Sequence, residues 1–151
     1  MPMSDAQQEA LSERLALVFK HETQYRVNLI RTLLQSYESY ESCEAGESGE
    51  AQVSSDAMLS KLIPLQLEVH SLKGAARSVD RMDIEMLCQD AEMLVMNALE
   101  QKGRLSKNAL ATLYQLITYL EQVVVRSSPT SGVDLHSLQA TLRALANTSY
   151  P

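Results

Sequence analysis

The chain has 151 residues, of which 45% are hydrophobic, so one domain with a sizeable core is expected. A single Phe, no Trp and many Leu, Ala, Glu and Gln residues favour helices over a sheet. A net charge of −6 without a basic stripe argues against nucleic-acid partners, and no apolar run is long enough for a membrane span. The N-terminus lacks signal-peptide features, so we expect a cytoplasmic protein with no membrane partner.

The first predicted element is a long amphipathic stretch from about Asp5 to Tyr40, which forms either one helix or two. Its predicted apolar stripe comprises Leu11, Leu15, Val18, Tyr25, Leu29 and Leu33, widened by Phe19, Ile30 and Leu34. Residues 41–55 are rich in Glu, Gly and Ser and contain no basic residue. We expect them to form an acidic, solvated loop.

The second predicted helix has an inward seam in which steps of three and four residues alternate. The seam comprises Leu62, Leu65, Val69, Leu72, Ala76 and Val79. We expect this helix to end near Asp80. A third helix follows, with Asp83 as its predicted cap and Gly103 at its end, and Ser106 is the predicted cap of a fourth.

The short loops make neighbouring helices antiparallel. The sequence therefore predicts an all-α fold, an antiparallel up-down four-helix bundle with an additional short C-terminal helix. The bundle is expected over residues 1–126, a Ser/Pro-rich linker over residues 127–133 and the accessory helix over residues 134–147.

The stretch VHSLKGAAR raises a question, because it places a glycine inside the second predicted helix. His70 lies about 100° round from the inward seam, and Lys73, Gly74 and Arg77 share its outward stripe. A glycine inside a helix costs roughly 1 kcal/mol relative to alanine, so a compensating gain is expected. Close approach of a partner is one such gain, and a phosphoryl group is an anion that the two cations would neutralise.

Residues 70–78, HSLKGAARS, resemble the signature of histidine-containing phosphotransfer (HPt) domains. They are most similar to the phosphotransfer domain of chemotaxis-type (CheA-like) histidine kinases. In that family, a histidine on a four-helix bundle takes a phosphoryl group and passes it to an aspartate on a receiver domain. LCQDAE, residues 87–92, looks like the family segment whose glutamate hydrogen-bonds the other ring nitrogen of the histidine. Asp80 stands where many members have a glycine, but Asp tolerates the left-handed conformation.

The resemblance, which covers roughly residues 5–125, implies a set of site residues. They are His70 as phosphoacceptor, Lys73 for neutralisation of phosphoryl charge, Glu92 for orientation of Nδ1, Gly74 for steric access and Gln89 as a second polar group. For receiver docking we predict Arg77, Gln66, Met86 and Met96. The implied partners are a response-regulator receiver domain and the catalytic domain of a histidine kinase.

The chain lacks nucleotide-binding loops and kinase motifs, so we expect a phosphocarrier rather than an enzyme. No cofactor is expected on this chain, because Mg²⁺ and ATP belong to the partner receiver or kinase domain. The chain is either free-standing or the N-terminal piece of a larger kinase.

Two other functions are alternatives to phosphotransfer. The first is a helical protein-interaction module that binds a partner without carrying phosphate. The second is a metal enzyme, but the sequence contains neither HExxH nor a Glu-x-x-His pair, so no metal ligands are predicted. His21 and His136 are expected to be solvated or packing residues.

Overall fold

The computed structural model describes residues 2–46, 55–101, 104–128 and 132–147. Within these ranges the fold is all-α, with five α-helices and no strand. The helices are α1 (Asp5–Gly46), α2 (Ser55–Ser78), α3 (Met82–Glu100), α4 (Lys107–Leu120), which continues into a π-helical turn (Glu121–Val125), and α5 (Leu135–Ala146). The predicted four-helix bundle with an additional C-terminal helix is confirmed.

The first helix is continuous, and the predicted stripe on it is wrong in its N-terminal half. Leu11, Leu15, Val18 and Tyr25 are exposed. The buried positions are instead Phe19, Thr23, Val27, Ile30, Leu34 and Tyr37. α1 has 42 residues and is therefore about 63 Å long, whereas α2 has only 24. The N-terminal turns of α1 therefore extend beyond the neighbouring helices, which bury the rest of α1.

The predicted acidic loop over residues 41–55 is wrong at its N-terminal end, because α1 continues through residue 46. Its other end agrees with the start of α2 at Ser55. The glutamates and the alanine in this part of the sequence have good helix propensity, which explains why the helix extends beyond Tyr40. Residues 47–54 of the predicted loop lie outside the described residues.

The predicted seam of α2 is confirmed: Leu62, Leu65, Val69, Leu72 and Ala76 are buried and Val79 is partly buried. The helix ends in a Schellman motif, in which the Arg81 N–H donates to the Ala76 carbonyl at 2.9 Å and the Asp80 N–H donates to the Arg77 carbonyl at 3.2 Å. Asp80 has a φ of 59°, so it adopts the left-handed conformation expected at this turn.

The start of the third helix differs from the prediction. α3 begins at Met82, with Arg81 at the cap position, so Asp83 lies in the first turn. Its carboxylate pairs with the Arg81 guanidinium at 3.1 Å. The inward face of α3 comprises the buried Ile84, Leu87, Cys88, Ala91, Leu94, Val95 and Ala98.

The last helix packs against α3 and α4 through the buried Leu138 and Leu142. Asp134 caps it by accepting the His136 N–H at 3.3 Å. The Asn97 side chain donates to the Ala146 carbonyl and so joins α3 to the end of α5.

The division of the chain into bundle, linker and accessory helix stays a prediction. In the described ranges, no helix combines the length and apolarity that a membrane crossing requires.

Candidate functional site

His70 and Glu92 meet on the surface formed by α2 and α3, which pack side by side. The side chain of His70 is 60% exposed, whereas that of Glu92 is only 7% exposed. The imidazole Nδ1 lies 2.6 Å from Oε2 of Glu92. The exposed imidazole of His70 is therefore hydrogen-bonded through one of its two nitrogens to a nearly buried carboxylate.

The carboxylate of Glu92 has three side-chain partners. Oε2 contacts both His70 Nδ1 and the Gln66 amide, which donates at 3.2 Å. Oε1 accepts from Lys73 Nζ at 2.6 Å. Lys73 Nζ also donates to Gln89 Oε1 at 3.1 Å, so Lys73 and Gln89 belong to the same network. The structure thus brings together five of the residues that were predicted for the site or for docking.

These partners determine the charge on Glu92. Burial by itself raises the pKa of the Glu92 carboxyl, but the hydrogen bonds and charges of Lys73, and then of His70, outweigh burial and hold the pKa below its ordinary value. Glu92 is therefore ionised at neutral pH.

The ionised carboxylate determines the tautomer of a neutral His70. A carboxylate only accepts hydrogen bonds, so Nδ1 must carry the proton, and Nε2 keeps its lone pair. Nε2 has no hydrogen-bond partner among the described residues. The ring therefore presents a free nucleophilic nitrogen on an exposed side chain.

A depression of about 440 Å³ lies beside the ring. It is lined by His70, Lys73, Gly74 and Arg77 of α2 and by Glu85, Met86 and Gln89 of α3. A methyl group placed at the α-carbon of Gly74 would meet no heavy atom within 4 Å beyond the adjacent backbone of its own helix, so close packing against the other described residues does not explain the glycine. The surface at Gly74 is therefore open beside the ring.

The residues predicted for docking separate into two groups. Arg77 and Met86 line the depression, and Met96 is 40% exposed on α3. Gln66 instead contributes to the Glu92 network. Met82 and Met93 of α3 are exposed as well, and sequence reasoning missed the exposed Ile63 and Leu67 of α2. A helical spacing of three and four residues on the outward faces was the available signal.

The other candidate residues lie elsewhere. His21 and His136 are exposed. Cys88 is buried, and burial raises the pKa of its thiol to about 12, so it is unreactive as a thiolate. In the described part of the chain, no group of three or more His, Cys, Asp or Glu residues is placed to hold a metal ion.

We expect the Glu92 network to make stability depend on pH in the acid range. Because the folded-state pKa lies below the ordinary value of 4.5, its contribution is fully present above that value and is lost as the pH falls through the folded-state pKa. Glu92→Gln should lower the free energy of unfolding by about 1–3 kcal/mol at pH 7, and the difference should shrink at acid pH. Urea unfolding from pH 3 to 7 measures this. A difference that is constant over the whole range would contradict it.

Comparison with known proteins places this arrangement in context. A protein-family model described as Hpt domain matches residues 14–147. No curated protein and no solved structure gave a match.

Proposed function

The chain belongs to the Hpt domain family of phosphocarriers in two-component signalling, and from this premise we propose that His70 is its phosphoacceptor. The observation that carries the proposal is the 2.6 Å contact between Nδ1 of the exposed His70 and the nearly buried Glu92. It leaves Nε2 as the nucleophile.

In the proposed reaction, the Nε2 lone pair attacks the phosphorus of an aspartyl phosphate on a response-regulator receiver domain. The N–P bond forms while the P–O bond to the aspartate breaks, and the electron pair of that bond leaves with the aspartate carboxylate. The Nδ1 proton remains on the ring. Glu92 stabilises the positive charge that the ring acquires, because the hydrogen bond becomes charge-assisted. The reverse reaction returns the phosphoryl group to the aspartate.

Lys73 is suited to neutralise charge on the phosphoryl oxygens. Its ammonium has three N–H donors, of which one faces Glu92 and one faces Gln89. The third is available to an incoming anion. Arg77, whose side chain is 81% exposed, supplies a second cation at the rim of the depression.

The proposed partners are a receiver domain and the catalytic domain of a histidine kinase. Mg²⁺ and ATP would be bound by these partners, and this chain would supply only the ring and its supporting network. The likeness of residues 70–78 to chemotaxis-type kinases favours a place next to such a kinase, either in the same polypeptide or as a separate protein.

The direct experiment is to incubate the chain with a phosphorylated receiver and to map the modified residue by mass spectrometry under conditions that preserve phosphohistidine. Labelling at His70 supports the proposal. A chain that binds the receiver but takes no phosphate would favour the interaction module instead, and labelling at another residue would show that His70 is not the phosphoacceptor.

Gly74→Ala should separate stability from function. The added methyl group meets nothing inside the chain, and alanine is the better helix former, so the free energy of unfolding should rise by about 0.5–1 kcal/mol. If a receiver approaches the ring over residue 74, transfer should nevertheless slow by about tenfold. Thermal unfolding and transfer kinetics measure the two effects. A variant that is more stable and equally fast would show that Gly74 does not provide access.

A further inference from the structure

We infer that Gln66 is a positioning residue for the phosphoacceptor, which acts through Glu92 on the ring of His70, and is not a docking residue. The inference rests on the proposed function, because it assigns a role within the same site. Gln66 lies one helical turn before His70 on α2. Its side-chain amide donates to Oε2 of Glu92, the same oxygen that His70 contacts.

The chemistry of the two groups determines the orientation of the amide. The carboxylate of Glu92 offers only acceptors, so the amide must present its NH₂ group to it and turn its carbonyl oxygen away. A carboxylate oxygen has lone pairs for two donors, and His70 and Gln66 together fill those of Oε2. The partly buried Gln66 thereby holds Oε2 on the side of the ring.

Lys73 acts on the other oxygen. Its ammonium lies 2.6 Å from Oε1 and is a charged donor, so its hydrogen bond is stronger than that of the neutral amide. The terminal torsion of a glutamate is broad, so the orientation of the carboxylate depends on the donors at both oxygens. If Gln66 is removed, Oε2 keeps only the contact with His70, while Oε1 keeps the charged Lys73. Without Gln66, we expect the carboxylate to turn toward Lys73. His70 Nδ1 then loses its acceptor for part of the time, and the neutral ring becomes a mixture of its two tautomers.

The test is Gln66→Leu, which keeps the approximate size of the side chain and removes the donor. Nitrogen NMR at a pH where the ring is neutral should show a protonated Nδ1 and a bare Nε2 in the unsubstituted chain, and a mixture of tautomers in the variant. Labelling by phosphoramidate, a small donor that needs no docking surface, should slow by roughly tenfold, by analogy with the loss seen when an outer partner of a metal-binding histidine is removed. Transfer from a phosphorylated receiver should slow by the same factor.

Gln35→Leu, at an exposed position on α1, is the matched control and should change none of these measurements. If Gln66→Leu slows transfer from the receiver but leaves phosphoramidate labelling and the tautomer unchanged, Gln66 is a docking residue and the inference is wrong. An unchanged tautomer with unchanged rates also overturns it. The NMR measurement needs no phosphodonor, so it decides the role of Gln66 even if the unsubstituted chain takes no phosphate, which would overturn the proposed function alone.

Discussion

His70→Gln is expected to abolish the acid-labile phosphate that the chain acquires from a phosphorylated receiver. Glutamine is polar and of similar size, but its amide nitrogen has no lone pair available for attack on phosphorus, because that pair is delocalised onto the carbonyl. The side chain of His70 is 60% exposed, so the free energy of unfolding should change by less than about 1 kcal/mol. Mass spectrometry of the intact chain and thermal unfolding measure the two quantities.

The other two histidines provide matched controls. His21 and His136 are exposed on α1 and α5, and neither belongs to the Glu92 network. His21→Gln and His136→Gln should therefore be labelled at the rate of the unsubstituted chain. Phosphate retained by His70→Gln, or lost in either control, would show that the acceptor is not His70.

The helices that flank the site could be predicted because each has one apolar stripe. In α2, the steps from Leu62 to Ala76 select one face, and all five predicted positions in that interval are buried. α1 carries two stripes about a quarter-turn apart, one through Leu11, Leu15 and Val18 and the other through Phe19. Periodicity does not choose between them, because the buried face depends on which turns have neighbouring helices.

Contacts between residues that are far apart in the chain could not be predicted from the sequence either. The hydroxyl of the buried Tyr37 accepts the Leu105 N–H at 2.8 Å and ties α1 to the segment before α4. Such a contact depends on where two helices end in space. Nothing local to either residue in the sequence indicates it.

Within the site, the resemblance indicated the residue types but not how they are connected. His70, Lys73 and Gly74 follow from spacing on one helix. The pairing of His70 with Glu92 required the family pattern, because it depends on the register of α2 against α3. That Gln66 and Lys73 hold opposite sides of one carboxylate depends on side-chain rotamers as well, and only the structure shows it.

Glu92→Gln should slow the labelling of His70 by about 100- to 10,000-fold, although the substitution replaces one oxygen by a nitrogen of nearly the same size. The reason lies in the donors around residue 92. His70 Nδ1–H, Lys73 and Gln66 all donate to the carboxylate. A carboxamide has a single oxygen for these donors, and its NH₂ group must face one side of the site.

The ammonium of Lys73 decides which side that is. It has no acceptor atom, so an NH₂ group that faced it would lose a hydrogen bond and meet a positive charge. The amide oxygen should therefore turn to Lys73, and the NH₂ group should turn to the ring. A donor that faces Nδ1 stabilises the tautomer with the lone pair on Nδ1 and the proton on Nε2, which removes the nucleophile from the exposed side of the ring.

Two measurements test this explanation together. Nitrogen NMR reports the tautomer of the His70 ring, and phosphoramidate labelling reports its reactivity. The variant should show a protonated Nε2 and slow labelling, whereas Glu100→Gln, an exposed position on the same helix, should show neither. Slow labelling with an unchanged tautomer would mean that Glu92 acts mainly through its charge. Unchanged labelling would mean that the hydrogen bond to Nδ1 contributes nothing to reactivity, and the mechanism proposed for His70 would be wrong.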